Sequence, residues 1–190
     1  MEKRWCRFLL KWGASLALLH CHLPTPLGDM LAVASTNGLC LLEFIGQRGI
    51  ERELRQLEAA RGGPSCAGMN AVLAQTGTEL AQYFAGRREC FGIALDLVGT
   101  PFQQQAWRAL CAIPYGQTRS YAEQARAIHR PTACRAVAAA NGRNKVSIIV
   151  PCHRVIGSDG GLTGFGGGLP RKQALLALEQ GGAQQGLLPW

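Results

Sequence analysis

The run "IIVPCHRVIG" at 148–157 sets a thiol, an imidazole and a guanidinium side by side, at Cys152, His153 and Arg154. Sulfur attacks as the thiolate, and an adjacent base or positive charge lowers the thiol pKa from about 8.5. These residue types in this order therefore offer an activated sulfur nucleophile. A packed thiol and a metal ligand compete with that reading, because neighbours in a strand point to opposite faces and need not meet. Pro151 bears on the choice. It ends the apolar run, so Cys152 falls at a turn where it and His153 can converge. For an isolated Cys-His pair, a structural thiol is still the commoner outcome.

Metal chemistry has little support. The cysteines, at 6, 21, 40, 66, 90, 111, 134 and 152, form no CxxC pair and no regular spacing. They read as free thiols of a reducing cytosol rather than a zinc pattern or a disulfide framework. His20, Cys21 and His22 are adjacent but lack distant partner ligands. The stretch "GSDGGLTGFGGGLP" at 157–170 lacks the GxxxxGK[ST] spacing and reads as a lid or loop against a ligand, not a phosphate cradle.

The elements that must position Cys152 lie on both sides of it. The run "VSIIV" at 146–150 is expected to be a strand delivering the chain to the cysteine, and Pro170 opens a last helix ending at Glu179. Upstream, Thr100, Pro101 and Gln103 make a helix start, followed by an apolar stripe of Phe102, Ala106, Leu110 and Ile113. Pro114 and Gly116 end it. Ser120 with Glu123 starts a helix expected to reach His129. After the turn "HRPT", Thr132 is expected to cap the helix "ACRAVAAAN", stopped at Asn141 and Gly142. The pair reads as a helix-turn-helix whose second helix carries Arg135 as its only long charged side chain. Its small alanines permit close approach to a neighbouring helix or to a nucleic acid groove.

The first half reads as a small α+β domain over 24–97. A hairpin turns at Asn37 and Gly38. Helical spacing follows at Ile50, Leu54 and Leu57, and again at Leu73, Thr76, Leu80 and Tyr83, and "FGIALDL" at 91–97 alternates like a strand. The second domain spans 98–182, with a tail at 183–190. Residues 1–23 begin with basic then apolar residues, but Lys11 interrupts them and no A-x-A site follows, so they are read as a loosely ordered extension rather than a signal peptide. No apolar run approaches a membrane span.

Charge points the same way as the helix-turn-helix. Of the net +8, residues 1–96 hold 10 Lys/Arg against 9 Asp/Glu and residues 97–190 hold 10 against 3, so the second half carries +7. A polyanion such as nucleic acid is the simplest partner, although a basic surface also serves solubility.

The run "IIVPCHRVIG", together with "GTPFQQQAWRALCAIPYGQTRSYAEQA", "RAVAAANGRN" and "GLTGFGGGLPRKQALLALE", resembles the O6-alkylguanine-DNA alkyltransferases over about residues 97–180. The earlier "TPLGDMLAVASTNGLCLLEF" resembles their amino-terminal domain more weakly. The resemblance implies an α+β protein: a ribonuclease H-like α/β domain, then a mainly helical one with a helix-turn-helix and a short strand leading into the active site.

It implies that Cys152 takes an alkyl group from guanine O6 in double-stranded DNA, in a single irreversible turnover, with O4-alkylthymine a further candidate. His153 would activate Cys152 through a water, with Glu179 orienting the histidine. Tyr121 and Asn144 complete the catalytic set. Arg135 would enter the stack as the base flips, approached through the minor groove. Tyr121, Thr132, Ala133, Ala136 and Arg154 would also face DNA, and Val155, Phe165, Gly166, Gly167 and Lys172 the base pocket. No metal, cofactor or membrane is implied, and the protein is expected to be a cytoplasmic monomer. Lys145, Phe165–Gly166 and Gln173–Ala174 depart from residues common in that family. The alternatives are a non-enzymatic lesion sensor, in which the cysteine is replaced, and an alkylation-sensing transcriptional regulator, for which the chain has no added module.

Overall fold

The computed structural model describes residues 18–181. Alternating apolar residues build a four-stranded sheet from β1 (Leu19–Leu23), β2 (Met30–Ala34), β3 (Leu39–Phe44) and β4 (Cys66–Ala67), in the order β3-β2-β1-β4. The β2–β3 hairpin is antiparallel and turns where Asn37 and Gly38 stand, while β4 pairs parallel with β1. Period-2 alternation sends Val33 and Leu41 to one face, where Leu57 of α1 (Ile50–Arg61) packs. Met30, Ala32, Leu42 and Phe44 face the other way, onto Leu73, Leu80 and Tyr83 of α2 (Ala71–Phe84).

The carboxy-terminal half is helical: α3 (Pro101–Cys111), α4 (Tyr121–Ala127), α5 (Cys134–Asn141) and α6 (Leu169–Glu179), with β5 (Arg119–Ser120) paired parallel to β6 (Val155–Ile156). Both expected capping boxes form, at Thr100–Gln103 and Ser120–Glu123. The helix-turn-helix is fixed internally by a reciprocal amide pair. Gln124 Nε2 donates to Asn141 Oδ1 at 3.0 Å and Asn141 Nδ2 returns a bond to Gln124 Oε1 at 2.7 Å. Trp107 Nε1 of α3 donates to the Ala140 carbonyl at 2.9 Å, closing the three-helix unit.

Five local expectations change. The chain enters the sheet at Leu19, inside the segment read as a loose extension, because β1 fills the slot between β2 and β4. Residues 1–17 and 182–190, which include the rest of that extension and the tail, lie outside the described residues. The helix expected to reach His129 closes at Ala127, and His129 takes a left-handed φ of 59°. Thr132 does not cap α5: Ala133 occupies that position without a side-chain bond.

The runs at 91–97 and 146–150 are not full strands. Each gives one parallel bridge to the outer edge of β3, Leu39–Leu95 and Leu42–Val146. A six-residue edge cannot pair two strands along its length, so the two segments share it, one at Leu39 and one at Leu42. The 146–150 run stays apolar because it is a buried turn, in which Ile148 holds a φ of 73°.

Candidate active site

Pro151 ends the buried turn, and Cys152–Arg154 forms a single 3-10 turn. Cys152 is partly exposed, and its Sγ accepts a bond from Asn144 Nδ2 at 3.3 Å. The same Nδ2 donates to the Val150 carbonyl at 2.8 Å, and Asn144 Oδ1 accepts from Val146 N–H at 3.0 Å. Asn144 therefore staples the turn that carries the cysteine. Desolvation pushes the Cys152 thiol up to about 11, against the pull of the Asn144 bond and the Lys172 charge. At neutral pH the sulfur is protonated, so a base must take its proton as it attacks.

His153 adjoins Cys152 in the same turn, and its imidazole is the candidate base. Its side chain is fully buried, with Nε2 2.8 Å from Glu179 Oε1. Burial pushes the imidazole pKa down even against the attraction of Glu179, so the ring is neutral. Glu179 lies low, at about 2, held there against desolvation by its bonds from His153 and Arg154. An anionic Glu179 can only accept, which assigns the proton to Nε2 and leaves a lone pair on Nδ1. That nitrogen has no hydrogen-bond partner among the described residues.

Glu179 gathers five donors. Oε1 accepts from His153, from Arg154 Nη2 at 3.0 Å and from the Tyr83 hydroxyl at 2.8 Å; Oε2 accepts from Arg154 Nε at 2.9 Å and from Gly116 N–H at 3.2 Å. Gly116 is required here: at a φ of 72°, a Cβ would stand 2.9 Å from the Glu179 carbonyl oxygen. Arg154 departs from its expected place on a DNA face. Only 6% exposed, it spends its guanidinium on Glu179 and on the Ile113 carbonyl at 2.6 Å, because an anionic Glu179 buried this deeply needs a cation.

Beside the thiol is a pocket of about 420 Å³, lined by Tyr121, Ala138, Asn141 and Gly142 of the helix-turn-helix, by Cys152, and by the loop residues Thr163, Gly164, Phe165 and Gly166. Three residues expected in its wall stand behind it. Lys172 is fully buried and donates through Nζ to the carbonyls of Val155, at 2.5 Å, and Thr163, at 2.7 Å, fastening the glycine-rich loop to α6. Val155 is buried, and a Cβ on Gly167 would press within 2.9 Å of Phe44 and 2.8 Å of Phe165. Thr163 Oγ1 donates to the Tyr121 hydroxyl at 3.1 Å, leaving the tyrosine proton free to donate into the pocket. On the outer face of the helix-turn-helix, Thr132, Arg135 and Ala136 are exposed and Ala133 partly so. No group of three or more His, Cys, Asp or Glu side chains that could hold a metal occurs among the described residues.

Two family models match the chain in tandem: "6-O-methylguanine DNA methyltransferase, ribonuclease-like domain" over residues 18–97 and "6-O-methylguanine DNA methyltransferase, DNA binding domain" over residues 101–181. The chain belongs to the 6-O-methylguanine DNA methyltransferase family. A methylated-DNA–protein-cysteine methyltransferase of Mycobacterium leprae is 44% identical over 166 residues, covering 86% of this chain and 93% of that protein. One from Methanosarcina barkeri is 43% identical over 157 residues, covering 82% and 93%. The crystal structure of the Mycobacterium tuberculosis O6-methylguanine methyltransferase superposes with a TM-score of 0.73 at 41% identity, covering 86% of this chain and 93% of that one. The same protein in complex with DNA gives a TM-score of 0.72.

Within this methyltransferase fold, the residues singled out in the sequence separate into a core and a face. Cys152, His153, Asn144 and Glu179 converge, and Tyr121 reaches the same pocket from α4. Tyr83, Gly116, Thr163, Asn141 and Gly142 were missed. Gly116 was visible only as a helix stop and Tyr83 only as an apolar position, and nothing local marks either as a partner of Glu179.

Proposed function

We propose that this chain repairs DNA by moving a methyl or small alkyl group from O6 of guanine in double-stranded DNA onto its own Cys152. The observation that carries the reading is Cys152 at the wall of a base-sized pocket, adjoining His153, whose other ring nitrogen is taken by Glu179. The alkylated base leaves the stack and enters the pocket, at a cost of a few kcal/mol. Arg135, exposed on α5, fills the space it vacates. Tyr121 donates its free hydroxyl proton as the base changes charge.

The thiol proton passes through a water to His153 Nδ1 while Sγ attacks the alkyl carbon in line. The S–C bond forms, the C–O bond breaks, and its electron pair returns to the guanine ring. Glu179 stabilises the imidazolium. Nothing at the site cleaves a thioether, so each molecule acts once. On this reading the protein works as a cytoplasmic monomer with no cofactor, and O4-alkylthymine is a further candidate substrate. A lesion sensor without chemistry is disfavoured by the cysteine itself.

The test is an O6-methylguanine duplex carrying a labelled methyl group. Label should move to Cys152 with at most one equivalent per molecule, located by mass spectrometry, and Cys152→Ala should bind the lesion but transfer nothing. Methyl still on the DNA after long incubation with excess protein would sink the proposal.

A further inference from the structure

We infer that Tyr83, in the amino-terminal domain, is a positioning residue for the transfer: its hydroxyl sets the basicity of His153 by sharing Glu179 Oε1. The rate half of this inference rests on the alkyl-transfer reading above.

Tyr83 lies on α2 with no exposed surface, yet its hydroxyl reaches across to donate to Glu179 at 2.8 Å. The oxygen it meets is the one that accepts from His153 Nε2, also at 2.8 Å. The ring cannot swing away to find another acceptor. It is wedged with centroids 5.3 Å from Phe84 and Phe91 and 6.1 Å from Tyr115. Burial and the negative charge of Glu179 push the phenol pKa well up, so the hydroxyl stays a donor across the accessible pH range.

A bolt between domains would need only the packing of that ring. The hydroxyl does something further, because a carboxylate oxygen has limited electron density to share. Each donor on Oε1 reduces the pull of Glu179 on the His153 proton. Removing the Tyr83 bond concentrates negative charge toward Nε2 and favours the imidazolium, which raises the pH below which His153 ceases to be a free base. Other groups also face the ring: Glu179 and Lys172 from α6, Arg154 from its own turn, and Tyr115 through the shared carboxylate. Replacing Tyr83 leaves all of them in place, which makes the shift attributable.

The full-length Tyr83→Phe protein keeps the ring and loses only the hydroxyl. Two midpoints are read: the acid limb of single-turnover methyl transfer, and the NMR titration of the His153 ring in protein without DNA. Both should move up by roughly half a pH unit or more. Installing 3-fluorotyrosine at position 83 makes the phenol a stronger donor with little change of shape, so the midpoints should move down. Leu80→Val, on the same helix but with no hydrogen-bonding group to offer Glu179, should lower Tm and move neither midpoint. If Tyr83→Phe lowers Tm with both midpoints in place, or fluorination shifts neither, Tyr83 is only packing and the inference fails. Failure of the wild-type protein to transfer methyl would overturn the function instead, since the NMR titration reads the Tyr83–Glu179–His153 coupling without any reaction.

Discussion

Glu43 is a buried carboxyl group with no cation paired to it among the described residues. It is 2% exposed on β3, and Ser147 Oγ donates to its Oε2 at 2.9 Å. Desolvation first, then the like charge of Glu53, pushes its pKa up to about 8. In the unfolded chain the group ionises near its ordinary value of 4.5. The folded state therefore holds the extra proton between these two values, and the stability tied to that proton is full below about 4.5 and is lost as pH rises toward 8. Glu43→Gln keeps an acceptor for Ser147 and removes the titration. It should stabilise the protein by on the order of 2–5 kcal/mol at pH 8 or above and by little near pH 5, read from urea unfolding at each pH. An equal change at both pH values would rule this out. At this scale the sequence was informative where chemistry is local. Cys152 and His153 are neighbours in a motif, whereas Glu43, Tyr83 and Gly116 gain their roles from partners far along the chain, and their residue types alone do not announce them.

The elements were legible where their signals are short-range. The capping boxes at Thr100 and Ser120, the Asn37–Gly38 turn and the stripes of α2 and α3 are written within a few residues. Thr132 failed as a cap because the tight turn before α5 sets the entry of that helix, with Ala133 at its first boundary. The apolar run at 146–150 is a buried turn rather than the expected strand, and composition cannot tell the two apart. The exposed face of α5 carries its own prediction. Arg135→Ala should slow transfer from duplex DNA by roughly 10- to 100-fold, a few kcal/mol at most, by weakening base flipping. Transfer from the free O6-alkylated base should be unchanged. Equal losses on both substrates would place Arg135 in the fold rather than at the DNA.

On the scale of the whole molecule, the edge of β3 serves both domains. Leu39 N–H bonds the Ala94 carbonyl of its own domain at 2.8 Å, whereas Leu42 N–H reaches into the second domain, to the Lys145 carbonyl at 2.7 Å, while its own carbonyl accepts from Ser147 N–H at 2.8 Å. None of this was readable beforehand, because period-2 alternation identifies a strand but not its neighbours. The edge also suggests a prediction about order in time. We expect the local contacts among α3, α4 and α5 to form first, because Leu42 must find Lys145 and Ser147 across more than half of the chain. Until it does, Cys152 is an ordinary thiol titrating near 8.5. Refolding protein pulsed with iodoacetamide should therefore label Cys152 roughly 100-fold faster before this docking than after it, and labelling at a constant rate throughout would contradict the sequence of events. If that order holds, a newly made molecule would pass through an interval in which Cys152 is open to any electrophile, and the closing of a strand edge would decide how many molecules reach DNA unspent.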